Sequence, residues 1–357
     1  MVAGTALDQE RHQLSPSRVN LVRIVTRRAI ERGLSPILAG RDVNALRRQA
    51  EVLALEYRVA PLNDPAALHT ALHGVGAVLH CAGPFIHTSR PMVDACVQAG
   101  AHYIDITGEI PVFERLAARD GEARARGVML LPGAGFDVVP TDCLAVHLAA
   151  RLPGSTELVL AFETAGGISR GTAGTVVEHM GAGSVVRREG ELRRVPLGHS
   201  TRMVDFGSGE RLTVAHPWGD LSTAWRSTGI PNITVYRATS WAELRLMPVL
   251  RAGLPLLATR PAQRLLRTWV RRRVRGPDAD ARRAGFSRFY GEVRGPDGAI
   301  AAARLRAPEA YTLTAHTAVA CAERTLAGDV RPGYATPGMA YGADFILSIA
   351  DVRREDL

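Results

Sequence analysis

Between Ser35 and Leu131, short apolar strands alternate with helices, a pattern that only a parallel sheet of βαβ units accommodates. Strands are expected at Ser35–Ala39, Tyr57–Ala60, Gly76–His80, His102–Ile106 and Val128–Leu131. Helices are expected over Val19–Arg32, Asn44–Leu55, Asp64–Leu72, Pro91–Ala99 and Val112–Arg126. Asp64 followed by Pro65 is an N-cap with proline in the first turn, and Gly33 and Gly100 close their helices. The fold class is therefore α/β, a doubly wound parallel sheet.

Past Pro153 the pattern changes. Strand candidates follow one another at Leu158–Thr164, Thr201–Phe206, Arg211–Ala215, Asn232–Tyr236, Phe289–Arg294 and Ile300–Arg306, with a helix opening at Thr172. This predicts a second, α+β domain on an antiparallel sheet. Tyr311–Leu326 and Met339–Val352 read as closing helices that pack back on the first domain. The expected domains are thus 1–145, 150–310 and a C-terminal 311–357 helical segment. At 357 residues the chain is long enough for two domains.

Composition removes several kinds of chemistry. All 44 basic residues are arginine, so lysine Schiff bases, a Walker A lysine and a lysine general base are excluded. The four cysteines form no CxxC pair and no HExxH motif occurs, so no metal is expected and the thiols suit a reducing, cytoplasmic setting. The net charge of +9 is concentrated: Ser240–Gly285 holds eleven arginines against Glu243, Asp278 and Asp280, or 11 − 3 = +8. With aromatics at 5% and the charge in one segment, a nucleic-acid partner is not expected. Residues 1–18 carry no basic region followed by an apolar run, and so do not read as a signal peptide. The longest apolar stretch, Leu246–Thr259, is broken by Arg251 and two prolines and falls short of the ~20 residues of a spanning helix. Arg264, Arg267, Arg271, Arg272, Arg273 and Arg275 follow Leu254, Leu256 and Leu257. Residues 246–275 read either as a solvated helix face or as a basic surface that lies peripherally on an anionic membrane or binds an acidic substrate.

Candidate site residues cluster at predicted strand ends. Arg41, after Gly40, stands where a doubly wound sheet meets the adenosine ribose; it suits a 2′-phosphate, and is otherwise an exposed arginine. Ala82-Gly83-Pro84 forms a small-residue turn that either lets backbone approach a ligand or is simply a tight turn. Asp105 and Glu109, in Asp105-Ile106-Thr107-Gly108-Glu109, lie at the next strand end and either face a ligand or are helix-capping and solvated. Asp137 either orients a ligand or caps the helix that begins near Pro140. The strand and glycine-rich turn expected before the first helix are not visible in Leu14–Arg18, so that strand and loop read as missing or altered.

HCAGPF, VDACVQAGAHYIDITGE and PGAGFDVVPTD, in this order, resemble the saccharopine dehydrogenase-like NAD(P)-binding family, closest to the short bacterial branch that includes trans-acting enoyl reductases. SRGTAGT, HPWGDLSTAWRSTGIPNITVY and TPGMAYGADFIL extend the resemblance, which runs from about Ile24 to Leu347. It implies an N-terminal Rossmann-type domain binding NADP, preferably NADPH, with Gly40 and Arg41 at the adenosine ribose and Ala82, Gly83 and Pro84 lining the cofactor. The expected function is an NADP-dependent oxidoreductase moving hydride to or from a C=C or C=N bond of a small or acyl-type substrate. Asp137 and Glu109 are its candidate catalytic residues. The competing expectation is a non-catalytic Rossmann scaffold that binds a lipid surface or protein partner through its Leu/Arg segment.

Overall fold

A computed structural model describes residues 1–3, 21–165, 184–257 and 283–357, with isolated positions between 259 and 268. The SRGTAGT motif, the helix expected from Thr172 and most of the arginine run after Arg260 lie outside the described residues.

Two compact units emerge. The first comprises, among described residues, 1–3, 21–139 and 311–342. Its seven-stranded sheet contains β1 (Val2–Ala3), β2 (Leu38–Gly40), β3 (Tyr57–Val59), β4 (Ala77–His80), β5 (His102–Asp105), β6 (Met129–Leu131) and β15 (Gly333–Tyr334). All pairs are parallel, in the order β15-β6-β5-β4-β1-β2-β3. This is the doubly wound arrangement that the strand–helix alternation predicts.

One expectation is corrected. The first strand is not missing: Val2 and Ala3 pair with Leu38 and Ala39 on one side and with Leu79 and His80 on the other. Two residues are too few to show strand periodicity in the sequence, and the pairing partners that define them lie 35 or more positions away.

Strands β4 to β6 are buried on both faces, which is why they read as continuous apolar runs. Val78, Tyr103 and Leu130 pack with Leu68, Met92, Val93 and Cys96 from the covering helices. Those helices start where local chemistry allows. Asp42 accepts the Ala45 N–H at 2.9 Å ahead of the helix Val43–Leu53, and Asp64 accepts the Ala67 N–H at 3.0 Å ahead of Pro65–Leu72.

The second unit holds 140–310 and 343–357 among its described residues. Its sheet contains β7 (Glu157–Ala165), β8 (Ser184–Arg188), β9 (Glu191–Val195), β10 (Thr201–Asp205), β11 (Glu210–Ala215), β12 (Asn232–Ala238), β13 (Phe286–Arg294), β14 (Ile300–Pro308) and β16 (Arg353–Asp356). Its pairs are antiparallel, as expected, except that β7 and β12 run parallel. Gly291 on β13 lets the helix Val139–Arg151 approach closely, for a Cβ there would lie 2.5 Å from Leu148 Cδ1. The opposite face carries ion pairs, among them Arg288 to Glu163 and Arg304 to Asp205, both at 2.7 Å.

The C-terminal segment departs from the expected helix over Met339–Val352. Helix Pro337–Tyr341 stops at Gly342 (φ +82°), a 3₁₀ turn spans Phe345–Ser348, and Arg353–Asp356 pairs antiparallel with β14. The buried Phe345, Ile346 and Ile349 supplied the apolar pattern that reads as helix in the sequence. Only residues up to 342 join the first unit; the tail joins the second.

Candidate functional site

In the first unit the strand order reverses direction between β1 and β4, and the carboxyl ends of strands around such a point form a crevice for ligands. Four loops gather there, after β2, β4, β5 and β6.

After β2, the Gly40 carbonyl accepts the Ala60 N–H at 2.8 Å, and Asp42 is committed to capping the next helix. Arg41 between them is exposed, and no described residue hydrogen-bonds or pairs with its guanidinium.

After β4, Ala82 is buried while Gly83 and Pro84 are exposed, and the Gly83–Pro84 peptide bond is cis. The helix Phe85–Ala99 starts at this turn, and its cap is supplied from another loop. Glu109 Oε1 accepts the Phe85 N–H at 2.7 Å and Oε2 accepts the Ile86 N–H at 2.8 Å. Glu109 is thereby a remote helix cap, both oxygens engaged on the positive end of the helix dipole.

Asp105, ending β5, ties two loops together. Its Oδ1 accepts the Thr107 N–H at 2.9 Å and the Gly133 N–H at 3.0 Å, and its Oδ2 accepts the Tyr103 hydroxyl at 2.8 Å. Burial holds its carboxyl up at about 6 in spite of these donors.

The loop after β6 is pinned from the helix Ala310–Leu326: Phe136 N–H donates to Thr314 Oγ1 at 3.1 Å, and Thr317 Oγ1 donates to the Ala134 carbonyl at 2.8 Å. Asp137 follows, half-buried, and its carboxylate caps no backbone N–H of a described residue. It lies on the backbone of Gly108, where a Cβ would come within 2.4 Å of Asp137 Oδ2. Burial, reinforced by the negative charge of Glu109, pushes Asp137 up to about 7. A carboxyl held near neutrality at a sheet edge, with no partner among the described residues, is equipped to hand over or accept a proton.

Of the sequence candidates, then, Gly40, Arg41, Ala82, Gly83, Pro84, Glu109 and Asp137 all lie at the carboxyl edge of one sheet. His80 went unnoticed in the sequence. It ends β4 directly opposite Asp105 and beside Ala3, is 1% exposed, and neither ring nitrogen has a hydrogen-bond partner among the described residues. Its ring meets Phe85 edge-on, with centroids 5.5 Å apart, and burial lowers its pKa to about 3. The available signal was a lone histidine closing the apolar run Gly76-Ala77-Val78-Leu79.

The strand order, the crevice and its loops define a Rossmann-type unit. Residues 22–131 match the family model described as the saccharopine dehydrogenase NADP binding domain. A saccharopine dehydrogenase-like oxidoreductase of Homo sapiens is 29% identical over 139 residues, covering 36% of this chain and 32% of that protein. A Mycobacterium tuberculosis protein carrying the name trans-acting enoyl reductase is 33% identical over 162 residues, 41% of this chain and 38% of the relative. The chain spans only about a third of the length of the curated relatives it matches. The apo saccharopine dehydrogenase (L-Glu forming) of Saccharomyces cerevisiae superimposes with a TM-score of 0.64 at 9% identity, covering 100% of this chain and 99% of that one, which speaks to the fold alone. The resemblance read from the sequence is borne out.

Proposed function

We propose that the chain is an NADP-dependent oxidoreductase that moves hydride to or from a C=C or C=N bond of a small or acyl-type substrate. The observation that carries this reading is the Arg41 guanidinium at the end of β2, exposed and unpaired among the described residues, in a segment that matches an NADP-binding domain model. Its planar fork suits bidentate contact with the 2′-phosphate, where an acidic residue would suit a free 2′-hydroxyl. Gly83 and Pro84, exposed at the mouth of the crevice, offer backbone a ligand can approach without a side chain intervening.

Bound there, the reduced nicotinamide supplies the hydride. The matching proton is held by Asp137 at its carboxyl, which burial and the charge of Glu109 push up to about 7. Glu109 holds the Phe85–Ala99 helix in place, and Asp105 fixes the loops after β5 and β6. Substrates of the acyl class fit the Leu/Arg composition of residues 246–275 better than a polyanionic amino acid does.

Titration of the purified chain with NADPH and NADH, followed by nicotinamide fluorescence, tests the reading. Saturable binding that favours NADPH is expected. Absence of binding to either would overturn it and leave the non-catalytic scaffold.

A further inference from the structure

The second unit contains a helix whose two sides have opposite character. On the inner side of Trp241–Leu257, Met247 is 4% exposed and lies against Gly198, where a Cβ would come within 3.5 Å of its Cγ. Glu243 pairs with Arg237 and accepts the Thr239 hydroxyl at 2.7 Å, and Arg251 donates from Nε and Nη2 to the carbonyls of Leu197 and Gly198 at 2.6 and 3.0 Å. The outer side repeats at helical spacing: Trp241 and Ala242, Arg245 and Leu246, Pro248 and Val249, then Ala252, are all exposed. Among them Trp241 is 63%, Leu246 58% and Val249 69% exposed, and no described residue pairs with Arg245.

Three large apolar side chains on one solvent-facing stripe are costly in water, and such a stripe marks a docking surface. Charge selects the occupant. The exposed Arg245 sits in the stripe, and the sequence segment Ser240–Gly285 to which it belongs carries eleven arginines and three acidic residues. An anionic bilayer satisfies both halves at once, offering hydrocarbon to Leu246 and Val249, an interfacial layer to the Trp241 indole and negative headgroups to arginine.

We propose that the outer face of the Trp241–Leu257 helix docks the protein on an anionic lipid surface. Docking does not depend on cofactor binding, so the two readings fail separately.

The test is flotation of the full chain with vesicles of phosphatidylcholine alone or with phosphatidylglycerol added, at low and high salt. Comparison is made with a Trp241→Ser/Leu246→Ser/Val249→Ser variant and an Arg245→Glu variant, each checked for unchanged circular dichroism. The native chain is expected to float with phosphatidylglycerol vesicles and be released by salt. The triple variant should lose at least about tenfold in vesicle affinity, and Arg245→Glu should bind more weakly than the native chain. No flotation with anionic vesicles would overturn the proposal, as would flotation unchanged in the triple variant. A Trp241 surface that instead captures a second copy of the chain would show as oligomerisation abolished by the same substitutions, with no lipid binding, and would equally refute it.

Discussion

Glu109 Oε1 accepts the Phe85 backbone N–H at 2.7 Å across 24 residues of sequence, and its second oxygen takes the next amide, Ile86, at 2.8 Å. A carboxylate from the β5 loop thus caps the helix that follows β4, making the two loops one structural unit. Removing it leaves two amides of the first helical turn without their acceptors, the more costly because Glu109 is 6% exposed. Glu109→Ala is expected to lower stability by roughly 2–4 kcal/mol. Glu109→Gln, which keeps one accepting oxygen, should lose about half as much. Thermal unfolding by circular dichroism together with hydrogen exchange at the Phe85 and Ile86 amides checks this; unchanged exchange in the alanine variant would sink it.

Asp137 gives a test with two readouts. Its carboxyl is raised from the ordinary 3.8 to about 7, so between those values the folded chain holds a proton that the unfolded chain has released. Stability therefore falls as pH climbs from about 4 to about 7 and is level beyond. Asp137→Asn removes that slope and should gain on the native protein as pH rises through this window, measured as the difference in melting temperature at pH 4.5 and 8. If Asp137 hands on the proton, reduction by the native enzyme slows as pH rises above about 7, and the asparagine variant loses a factor of about 10²–10⁴ in kcat. Gly108→Ala, whose Cβ would lie 2.4 Å from Oδ2, should displace the carboxyl and reduce kcat without removing any titratable group.

These residues show what can be read from a chain and what cannot. The alternation that gives the parallel sheet is local, and so are the caps at Asp42 and Asp64, each bonded three residues ahead. The loops at the carboxyl edge followed from strand ends alone. The sequence left Glu109 open between facing a ligand and capping a helix, because its partners are 24 and 23 residues away and a loop carboxylate looks the same in either role. Val2–Ala3 exists as a strand only through neighbours on both sides. His80 was hidden because its burial depends on Phe85 and Tyr103, which the fold brings against it.

His80 titrates in the other direction. Burial depresses it from 6.5 to about 3, so across that range the unfolded chain binds a proton that the folded chain refuses. Its contribution to acid sensitivity begins as pH falls below about 6.5 and grows by about 1.4 kcal/mol for each pH unit down to about 3. A His80→Gln variant, uncharged throughout, should unfold at lower pH than the native protein even where its stability at pH 8 is reduced. Acid titrations followed by circular dichroism provide the comparison, and parallel curves for the two proteins would refute the assignment.

In the proposed function Arg41 is the residue on which cofactor choice turns. An exposed guanidinium with no competing carboxylate among the described residues loses little on meeting a 2′-phosphate, and two charge-assisted hydrogen bonds then separate NADPH from NADH. Arg41→Ala should raise the Kd for NADPH by about 10- to 100-fold and leave that for NADH within about twofold. Because Arg41 bonds to no described residue, the variant's melting temperature should match the native value, which separates lost recognition from lost structure. Raising ionic strength should weaken NADPH binding to the native chain more than to the variant, since the missing contact is electrostatic. Equal losses for the two nucleotides would show that Arg41 serves the common diphosphate or the fold, and the preference for NADP would have to come from elsewhere in the chain.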